Sequence, residues 1–575
     1  MNAERLLAHY HTIADAPDAI TRLRSFILDV AVRGKLVPQD AADEPASDLL
    51  KRIAAEKARL VKAGAIRKPK PIPAIAEPPF PIPANWRWSQ IAKIGLLSPR
   101  NEAPDTLEAS FVPMPLIAAE YGVANQHEVR PWGEIKKGYT HFSEGDVGLA
   151  KITPCFENGK STVFRNLTGG MGSGTTELHI VRPLFVDPDY ILLFLKSPHF
   201  IETGIPKMTG TAGQKRVPTE YFAHSPFPLP PLAEQHRIVA KVDELMALCD
   251  WLEAMRTERE ATRDRLTAAS LARLNAPGPD TFQEDARFAL DTLAALTTRP
   301  DQIKALRQTI LNLAVRGLLV PQDSNDQPAS ELLKRIAKEK AKTSGRNRVL
   351  PVIEEGEKPF IAPLGWLWSR MGDVFSIRTG FAFKSSTYAD KGTLVFRVTN
   401  FDRDGCFDLS DSVYFPTENI DAKLASFLLH PGEIIMVMVG GTIGKTTIVD
   451  ETILPALLNQ NMWRIRSFGG EMLNRYEYLL VKSINQTIQG LTQSTHGHFA
   501  MSDYELRVIG LPPLAEQHRI VAKVDELRAL CDRLEAGLAT GEDTRRRLLD
   551  SLLAAALAPE ESLVPQQPQR IAAHG

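Results

Sequence analysis

The chain carries nearly the same helical sequence twice, around two segments that do not match. Leu229–Ala254 (LPPLAEQHRIVAKVDELMALCDWLEA) and Leu511–Ala536 (LPPLAEQHRIVAKVDELRALCDRLEA) agree at 24 of 26 positions. Upstream, Ala31–Ala58 and Ala314–Ala341 agree at 22 of 28 positions, and the offsets are 282 residues (229 to 511) and 283 residues (31 to 314). Solenoid units have roughly 20 to 50 residues, so this repeat is of another kind. We predict two half-molecules related by an internal pseudo-two-fold, in which like helical blocks carry unlike domains.

Length and composition indicate an ordinary multidomain globular protein. The 575 residues allow about three to four domains. The 43% hydrophobic and 24% charged residues are typical of globular chains. Because the formal net charge is only −1, any contact with nucleic acid depends on local basic patches.

Cysteine usage and the apolar runs point to a cytoplasmic protein without a membrane partner. The four cysteines lack metal-type spacing, and Cys249 and Cys531 lie at equivalent positions on apolar helix stripes. We therefore expect buried free thiols in a reducing compartment. The N-terminus lacks a signal-peptide core, and no apolar run approaches the roughly 20 residues of a membrane span.

The repeat and the proline-rich stretches predict the domain order. Short apolar runs between glycine turns, such as Asp146–Thr153 and Glu433–Val439, are typical of strands. The predicted fold class is therefore α/β (α+β), with two variable domains, each opened by a Trp-x-Trp sequence and separated by long helices. The predicted parts are an N-terminal helical block and linker (1–84), a first variable domain (85–228), a central helical region (229–345), a linker (346–364), a second variable domain (365–510), a C-terminal helical region (511–558) and a disordered tail (559–575).

Each repeated helix carries apolar residues at heptad spacing. This seam allows two interpretations: the helix packs on the core of its own domain, or the two halves pack together through the helices. The second is favoured because the seam occurs twice. A helix over 232–273 would extend on the order of 60 Å. The seam residues are Ile238, Val242, Leu245, Cys249 and Leu252 in the first half, and Ile520, Val524, Leu527, Cys531 and Leu534 in the second.

Two unlike domains, each followed by LPPLAEQHRIVAKVDEL and a long helix, resemble the specificity subunit of type I restriction–modification enzymes. The resemblance covers nearly the whole chain. Gly145–Lys160 (GDVGLAKITPCFENGK) and Gly174–Pro183 (GTTELHIVRP) resemble segments of that family's target-recognition domains. In the second half, Gly440–Lys445 (GGTIGK) and Leu458–Trp463 (LNQNMW) resemble another branch of them.

The resemblance implies two domains that read double-stranded DNA, separated by an antiparallel coiled coil. It implies that the helices dock two methyltransferase subunits, which restriction/translocase subunits join. The chain itself would be non-catalytic and without a cofactor, whereas S-adenosylmethionine, ATP and Mg would belong to the partner subunits. The complex would then methylate adenine N6, or cut, at DNA that this chain selects. Two half-sites about one helical turn apart, near 34 Å, would form a bipartite target.

Glycine-flanked loops with basic and amide side chains are the candidates for DNA contact. Thr209–Val217 (TGTAGQKRV) carries Gln214, Lys215 and Arg216, and in the major groove Arg pairs with guanine and Gln with adenine. Lys151 and Lys160 flank a turn and are candidates for phosphate contact. The alternative for all of them is an ordinary solvated loop. The candidates in the second domain are Lys384, Ser385, Arg397, Lys445, Gln460 and Asn461, and His496, Gly497 and His498 correspond to the 213–214 region of the first.

No catalytic motif is complete. Gly444-Lys445-Thr446 ends like a phosphate-binding loop, but that motif needs a glycine where Val439 stands. Pro78-Pro79-Phe80 ends like an adenine-methyltransferase motif, but Glu77 precedes it within a linker. A DNA-specificity scaffold is therefore favoured over a nucleic-acid enzyme, while an adaptor that binds protein through its variable domains stays open.

Overall fold

The computed structural model describes residues 15–211, 213–276, 281–343, 349–401, 407–439, 443–489 and 500–557. The chain divides into two compact units, 1–260 with 541–575, and 261–540. Each unit therefore holds one variable domain and parts of both repeated helices. The predicted mixed fold class with two domains and long helices is confirmed.

The first unit begins with two scaffold helices and then alternates short strands with short helices. Its helices are α1 (Ala19–Val32), α2 (Ala46–Lys62), α3 (Ile91–Ile94), α4 (Trp132–Ile135), α5 (Pro188–Lys196), α6 (Pro198–Gly204), α7 (Thr219–His224) and the start of α8 (Leu232–Asn275). Its strands are β1 (Arg87–Gln90), β2 (Gly95–Leu97), β3 (Glu108–Val112), β4 (Glu128–Pro131), β5 (Thr140–Ser143), β6 (Val147–Ala150), β7 (Ser161–Val163), β8 (Met171–Gly174), β9 (Leu178–Pro183) and β10 (Pro226–Leu229).

The second unit repeats this plan. Its helices are α9 (Phe282–Asp291), α10 (Leu293–Leu296), α11 (Pro300–Val315), α12 (Ala329–Thr343), α13 (Met371–Val374), α14 (Ala422–Ala425), α15 (Asn474–Gln489), α16 (Met501–Glu505) and the start of α17 (Leu514–Leu557). Its strands are β11 (Leu367–Arg370), β12 (Phe375–Thr379), β13 (Thr393–Phe396), β14 (Tyr414–Phe415), β15 (Ile434–Val437), β16 (Thr446–Ile448), β17 (Ala456–Leu458), β18 (Met462–Ser467) and β19 (Val508–Leu511). Single 3-10 turns lie between the helices and strands of both units. They are Met114–Leu116, Thr168–Gly170 and Ile205–Lys207 in the first, and Glu355–Glu357, Ser385–Thr387, Val398–Asn400, Thr417–Asn419, Glu451–Ile453 and Phe468–Gly470 in the second.

The two variable domains share their strand topology despite their unlike sequences, except that β5 of the first domain corresponds to a single bridge, Leu428 with Leu457, in the second. In the first, an antiparallel sheet has the order β2-β9-β6-β7, and a second sheet, β4-β3-β8-β5, contains the parallel pair β3–β8. In the second, the sheets are β12-β18-β15-β16 and β14-β13-β17, again with one parallel pair, β13–β17. A two-stranded ribbon, β1–β10 or β11–β19, closes each domain where the helical scaffold begins. The register of these sheets makes the two domains comparable residue by residue.

The seam of the first long helix is buried within its own unit. Ile238 and Val242 are fully buried in a core that α1 and α5 also line, and Leu245 and Leu252 pack against it. The last turns of α17 join the same core through Leu549, Leu553 and Ala556. Both interpretations of the seam therefore hold in part, because α1 and the end of the other long helix share one core.

Ion pairs and hydrogen bonds between helices show the helix directions in the first unit. The Arg256 guanidinium donates to the carbonyl of Ala16 (3.4 Å) and Arg24 pairs with Asp250 (2.6 Å), so α8 runs antiparallel to α1. Arg22 pairs with Asp550 and the Lys35 ammonium donates to the Leu557 carbonyl, so the end of α17 runs parallel to α1. Within this unit, the two long helices are therefore antiparallel.

The second unit is built in the same way. Ile520 and Val524 are buried in its core, with Leu527 and Leu534 packed against it. Arg307 pairs with Asp532 on α17 (2.5 Å), and Asn275 at the end of α8 donates to Thr309 (2.9 Å). Each scaffold block therefore holds the start of one long helix and the end of the other.

Identical polar contacts anchor both blocks. Arg237 pairs with Asp43 and Arg519 with Asp326, each at 2.6 Å. The carboxylate at the start of each long helix, Glu234 or Glu516, accepts from a glutamine of the upstream repeat. Burial raises the pKa of both glutamates, although these hydrogen bonds lower it.

Both proline-rich linkers dock on the scaffold through aromatic residues. Phe80 packs edge-on against Trp88, with the Arg33 guanidinium over its ring at 4.6 Å. The second half repeats the cluster with Phe360, Trp368 and Arg316. The turn after α1 and the equivalent turn after α11 need glycine. Gly34 and Gly317 have φ near +70°, and a Cβ at either position would lie within 2.6 Å of Pro83 or Pro363.

The described ranges hold neither a membrane-spanning helix nor a cluster of metal ligands. None of the helices in them is long and apolar enough to cross a membrane. Within the same ranges, no group of three or more His, Cys, Asp or Glu side chains could hold a metal ion.

Candidate nucleic-acid interface

In the first variable domain, the structure brings the two predicted groups of residues together. The amide of Thr153 donates to the carbonyl of Lys215 (2.9 Å), and the amide of Val217 donates to the carbonyl of Lys151 (2.8 Å). The loop 209–217 is thus bonded along the turn that follows β6. This places Lys151 and Lys215 at one edge of the domain.

Arg216 has a partner within this edge. Its guanidinium donates to Glu177 twice, from Nε (2.9 Å) and Nη2 (2.8 Å), and also to the carbonyl of Gln214. The hydrogen bonds from Arg216 lower the pKa of Glu177. Gln214 and Lys215 are exposed, whereas Arg216 fixes the loop to the turn before β9. Sequence reasoning missed Glu177, because it lies 39 positions before Arg216 and nothing in the sequence indicates the pairing.

The buried Lys196 side chain holds the turn between β6 and β7 through hydrogen bonds to backbone carbonyls. The Lys196 ammonium donates to the carbonyls of Gly159 (3.0 Å) and Ala119 (2.7 Å), and burial lowers its pKa to about 7. Lys160, predicted to contact phosphate, is half-buried and lies 3.4 Å from the carbonyl of Met114. The sequence signal for Lys196 was weak, since it is the lone cation ending the apolar helix PDYILLFLK.

In the second domain, most predicted residues lie at one edge as well. The amide of Gly380 donates to the carbonyl of Met462 (3.1 Å), and the amide of Met438 donates to the carbonyl of Asn461 (3.2 Å). The segments that carry Lys384, Lys445 and Asn461 therefore converge there. Lys384, Ser385 and Gln460 are exposed, whereas Lys445 and Asn461 are half-buried.

Arg397 lies at the same edge but is engaged within the domain. It pairs with Asp411 (3.0 Å), and its buried Nε has no hydrogen-bond partner within the described part of the chain. Its backbone amide donates to Asn400, which fixes the turn after β13. Like Arg216, Arg397 therefore orders a loop.

The sheet registers show that these edges are equivalent. Pairing of β6 with β7 and of β15 with β16 aligns Lys160 with Lys445, each just before the second strand. The strands β9 and β18 align Glu177 with Asn461 in the same way. Like positions thus carry partly unlike side chains. The counterpart of the loop 209–217, with His496, Gly497 and His498, lies outside the described residues, as do residues 440–442 of the GGTIGK segment.

Comparison with known proteins gives one consistent family. Residues 363–540 match a family model described as the type I restriction modification DNA specificity domain. The EcoAI specificity subunit of Escherichia coli is 40% identical over 555 residues, which cover 94% of each chain. The EcoEI specificity subunit of the same species is 38% identical over 558 residues, with the same coverage.

A solved structure also aligns along most of the chain. The HsdS subunit from Thermoanaerobacter tengcongensis is 21% identical, and the alignment covers 84% of this chain and 99% of that one, with a TM-score of 0.45.

Proposed function

Because the chain belongs to the family of type I restriction enzyme specificity subunits, we propose that its two variable domains each read one half of a bipartite DNA target. The chain is a DNA-specificity subunit. The observation that carries the bipartite reading is the equivalence of the two edges: one strand topology presents different side chains at matching positions.

Direct readout at the first edge falls to its exposed side chains. Gln214 offers both a donor and an acceptor, as adenine requires in the major groove. The exposed Lys215 and the half-buried Lys151 supply positive charge for phosphates, which position a protein without reading sequence. Arg216, held by Glu177, keeps the loop in shape for this contact. In the second domain, we propose the same division between exposed Lys384 and Gln460 and the engaged Arg397.

The helical scaffold is proposed to dock two copies of one methyltransferase subunit. The repeated segments agree at 24 of 26 positions, so they offer nearly the same surface twice. Ile238, Val242, Ile520 and Val524 are buried internally, which leaves docking to the exposed faces of these helices. S-adenosylmethionine, ATP and Mg would reside on the methyltransferase and restriction/translocase subunits, and this chain would act without a cofactor in the cytoplasm.

Exchange of one variable domain tests the proposal. Residues 85–228 are replaced by the aligned domain of the EcoAI relative, and methylated motifs are mapped in cells that hold the partner subunits. One half of the motif should change while the other half stays. The reciprocal exchange of residues 365–510 is the matched control and should change the other half. A motif that both exchanges leave intact, or that either alters in both halves, contradicts the proposal.

A further inference from the structure

A small pocket in the second variable domain is lined by three arginines and one carboxylate. Its volume is about 180 Å³, and its wall includes Arg378 of β12, Arg464 and Arg466 of β18, and Glu433 just before β15. The remaining lining residues are Ser376, Ser467, Phe468 and Gly469. The pocket lies over paired residues of the strands β12 and β18.

The positive charges in this pocket are crowded. The register of β12 with β18 places Arg378 directly opposite Arg464, and like charges at such a pair destabilise a sheet. Glu433 lies 3.6 Å from Arg464 Nε and is the carboxylate of the pocket lining. Burial and the charge of Arg378 lower the pKa of Arg464, although Glu433 raises it. The lining itself, with three guanidinium groups and one carboxylate, carries an excess of positive charge. The buried Glu477 carboxyl, which interacts with Arg466, has its pKa raised by burial to about 7 and so offsets this charge only in part near neutral pH.

Arg466 adds an unsatisfied donor. Its Nε is buried and has no hydrogen-bond partner among the residues that the structure describes. The guanidinium lies over Gly470, where an added Cβ would be 3.1 Å from Nη2. A buried donor without an acceptor costs free energy, so a shift of this side chain that brings the donor to an acceptor in the pocket would be favourable.

In the first variable domain, the arginine equivalent to Arg466 is neutralised by a buried carboxylate. The registers align Arg182 with Arg466 and Asp146 with Glu433. Arg182 donates to Asp146 from Nε (2.9 Å) and Nη2 (2.8 Å), and the carboxylate is fully buried. Ser98 and Ile180 stand where Arg378 and Arg464 stand in the second domain. The excess of arginine therefore belongs to the second domain alone.

We propose that this pocket binds a phosphate group, with Arg378 and Arg466 as its principal ligands. Guanidinium groups bind tetrahedral oxyanions through pairs of N–H donors. At about 30 Å³ for each water, a pocket of this volume holds one phosphate and a few waters. The phosphate comes either from a small solute or from a nucleic-acid backbone, and both sources present the same chemistry.

Titration of the full-length chain with inorganic phosphate tests the proposal. Calorimetry and thermal melting are measured at constant ionic strength, with chloride as the replaced anion. The chain should show saturable binding and a rising melting temperature. Arg378→Gln with Arg466→Gln should weaken phosphate binding at least tenfold. Arg182→Gln, the matched control, should keep phosphate binding even where it lowers the melting temperature.

Folding and anion binding separate in this design. Arg378→Gln alone removes the repulsion with Arg464, so without phosphate its melting temperature should equal or exceed that of the parent chain. A phosphate response that equals the chloride response, or that survives the double substitution unchanged, overturns the proposal.

A second experiment distinguishes a small phosphate solute from a nucleic-acid backbone, and its result does not change the interpretation of the phosphate titration. Binding of non-target duplex is measured against salt concentration, where each lost phosphate contact lowers the slope of log affinity against log salt by about one. A lower slope in the double variant assigns the pocket to the DNA backbone. An unchanged slope, with inorganic phosphate binding lost, assigns it to a small anion. Because the titration uses no DNA, failure of this pocket is distinguishable from failure of DNA reading.

Discussion

Arg216 is paired with Glu177 in the absence of DNA, whereas Lys215 is exposed. Substitutions of these two residues should therefore weaken DNA binding for different reasons. Lys215 is exposed, so Lys215→Ala should weaken DNA binding by the complex about five- to tenfold and leave the melting temperature unchanged. Arg216→Ala should weaken DNA binding by releasing the loop. Affinity by fluorescence anisotropy and melting by circular dichroism give both readouts.

Glu177→Gln is the matched control for the Arg216 substitution. If Arg216 acts by ordering the loop, Glu177→Gln should also weaken DNA binding, because the amide can accept only one of the two hydrogen bonds from Arg216 and places a donor against the other. Full affinity in Glu177→Gln, with loss in Arg216→Ala, would show instead that Arg216 itself touches DNA.

The turns at the edges were predictable from sequence, whereas the pairings inside them were not. Glycines and polar residues between apolar runs mark where strands end, so Lys151 and Lys215 were identified as surface candidates. The partners of Arg216 and Arg397 come from other turns, and only the sheet registers bring them together. Lys196 was missed because a lysine that ends an apolar helix normally extends its ammonium into water.

Glu477 should make the stability of the second unit depend on pH. The carboxyl is fully buried, and burial raises its pKa from 4.5 to about 7, although hydrogen bonds from Ser467 and the charge of Arg466 lower it. Between these values the folded unit keeps a proton that the unfolded chain has lost. The free energy of unfolding should therefore fall as pH rises through this window, by on the order of 3 kcal/mol.

Thermal melts from pH 4.5 to 8 check this dependence. Glu477→Gln should flatten the profile, because an amide does not titrate. The backbone amides of Asp187 and Leu473 donate to the repeat-equivalent Gln235 and Gln517, which aligns Glu477 with the buried Ile191 of the first unit. An uncharged side chain therefore fits the equivalent site. Glu418→Gln, at an exposed position, should leave the profile as it is. A steep decline that persists in Glu477→Gln would contradict the assignment.

At the scale of elements, the heptad seam was read correctly as a helix but incompletely as an interface. Spacing alone identifies an apolar face and leaves open what covers it. In the structure, α1 and the end of the other long helix cover it together. The sequence could not show this, because the decisive contacts, such as Arg22 with Asp550, join positions 528 residues apart.

The two long helices pass from one unit to the other near Glu260 and Thr540. If they set the separation of the half-sites, seven residues of helical sequence inserted after both positions should lengthen the preferred DNA spacer. The insertion adds about 10 Å, or up to roughly three base pairs. Insertion after only one of the two positions is the control and should impair assembly instead. Selection from duplexes with graded spacers measures the preference. An unchanged preferred spacer in the doubly extended chain would show that the long helices do not set the separation of the half-sites.

At the scale of the whole molecule, the internal repeat explains how one chain serves an asymmetric target. The scaffold is nearly the same in both halves, so the same partner surface occurs twice, while the variable domains share strand topology and differ at their edges. Sequence predicted this division because the repeat and its interruptions are visible directly. The order of strands within each sheet required the structure.

The central claim is that the two variable domains read two halves of one DNA target. Its most direct test is genome-wide mapping of adenine methylation in host cells with and without this chain, with the partner subunits present in both. Removal of the chain should abolish one bipartite motif that has a methylated adenine in each half. Methylation that is unchanged, or the loss of a single contiguous motif, would contradict the account.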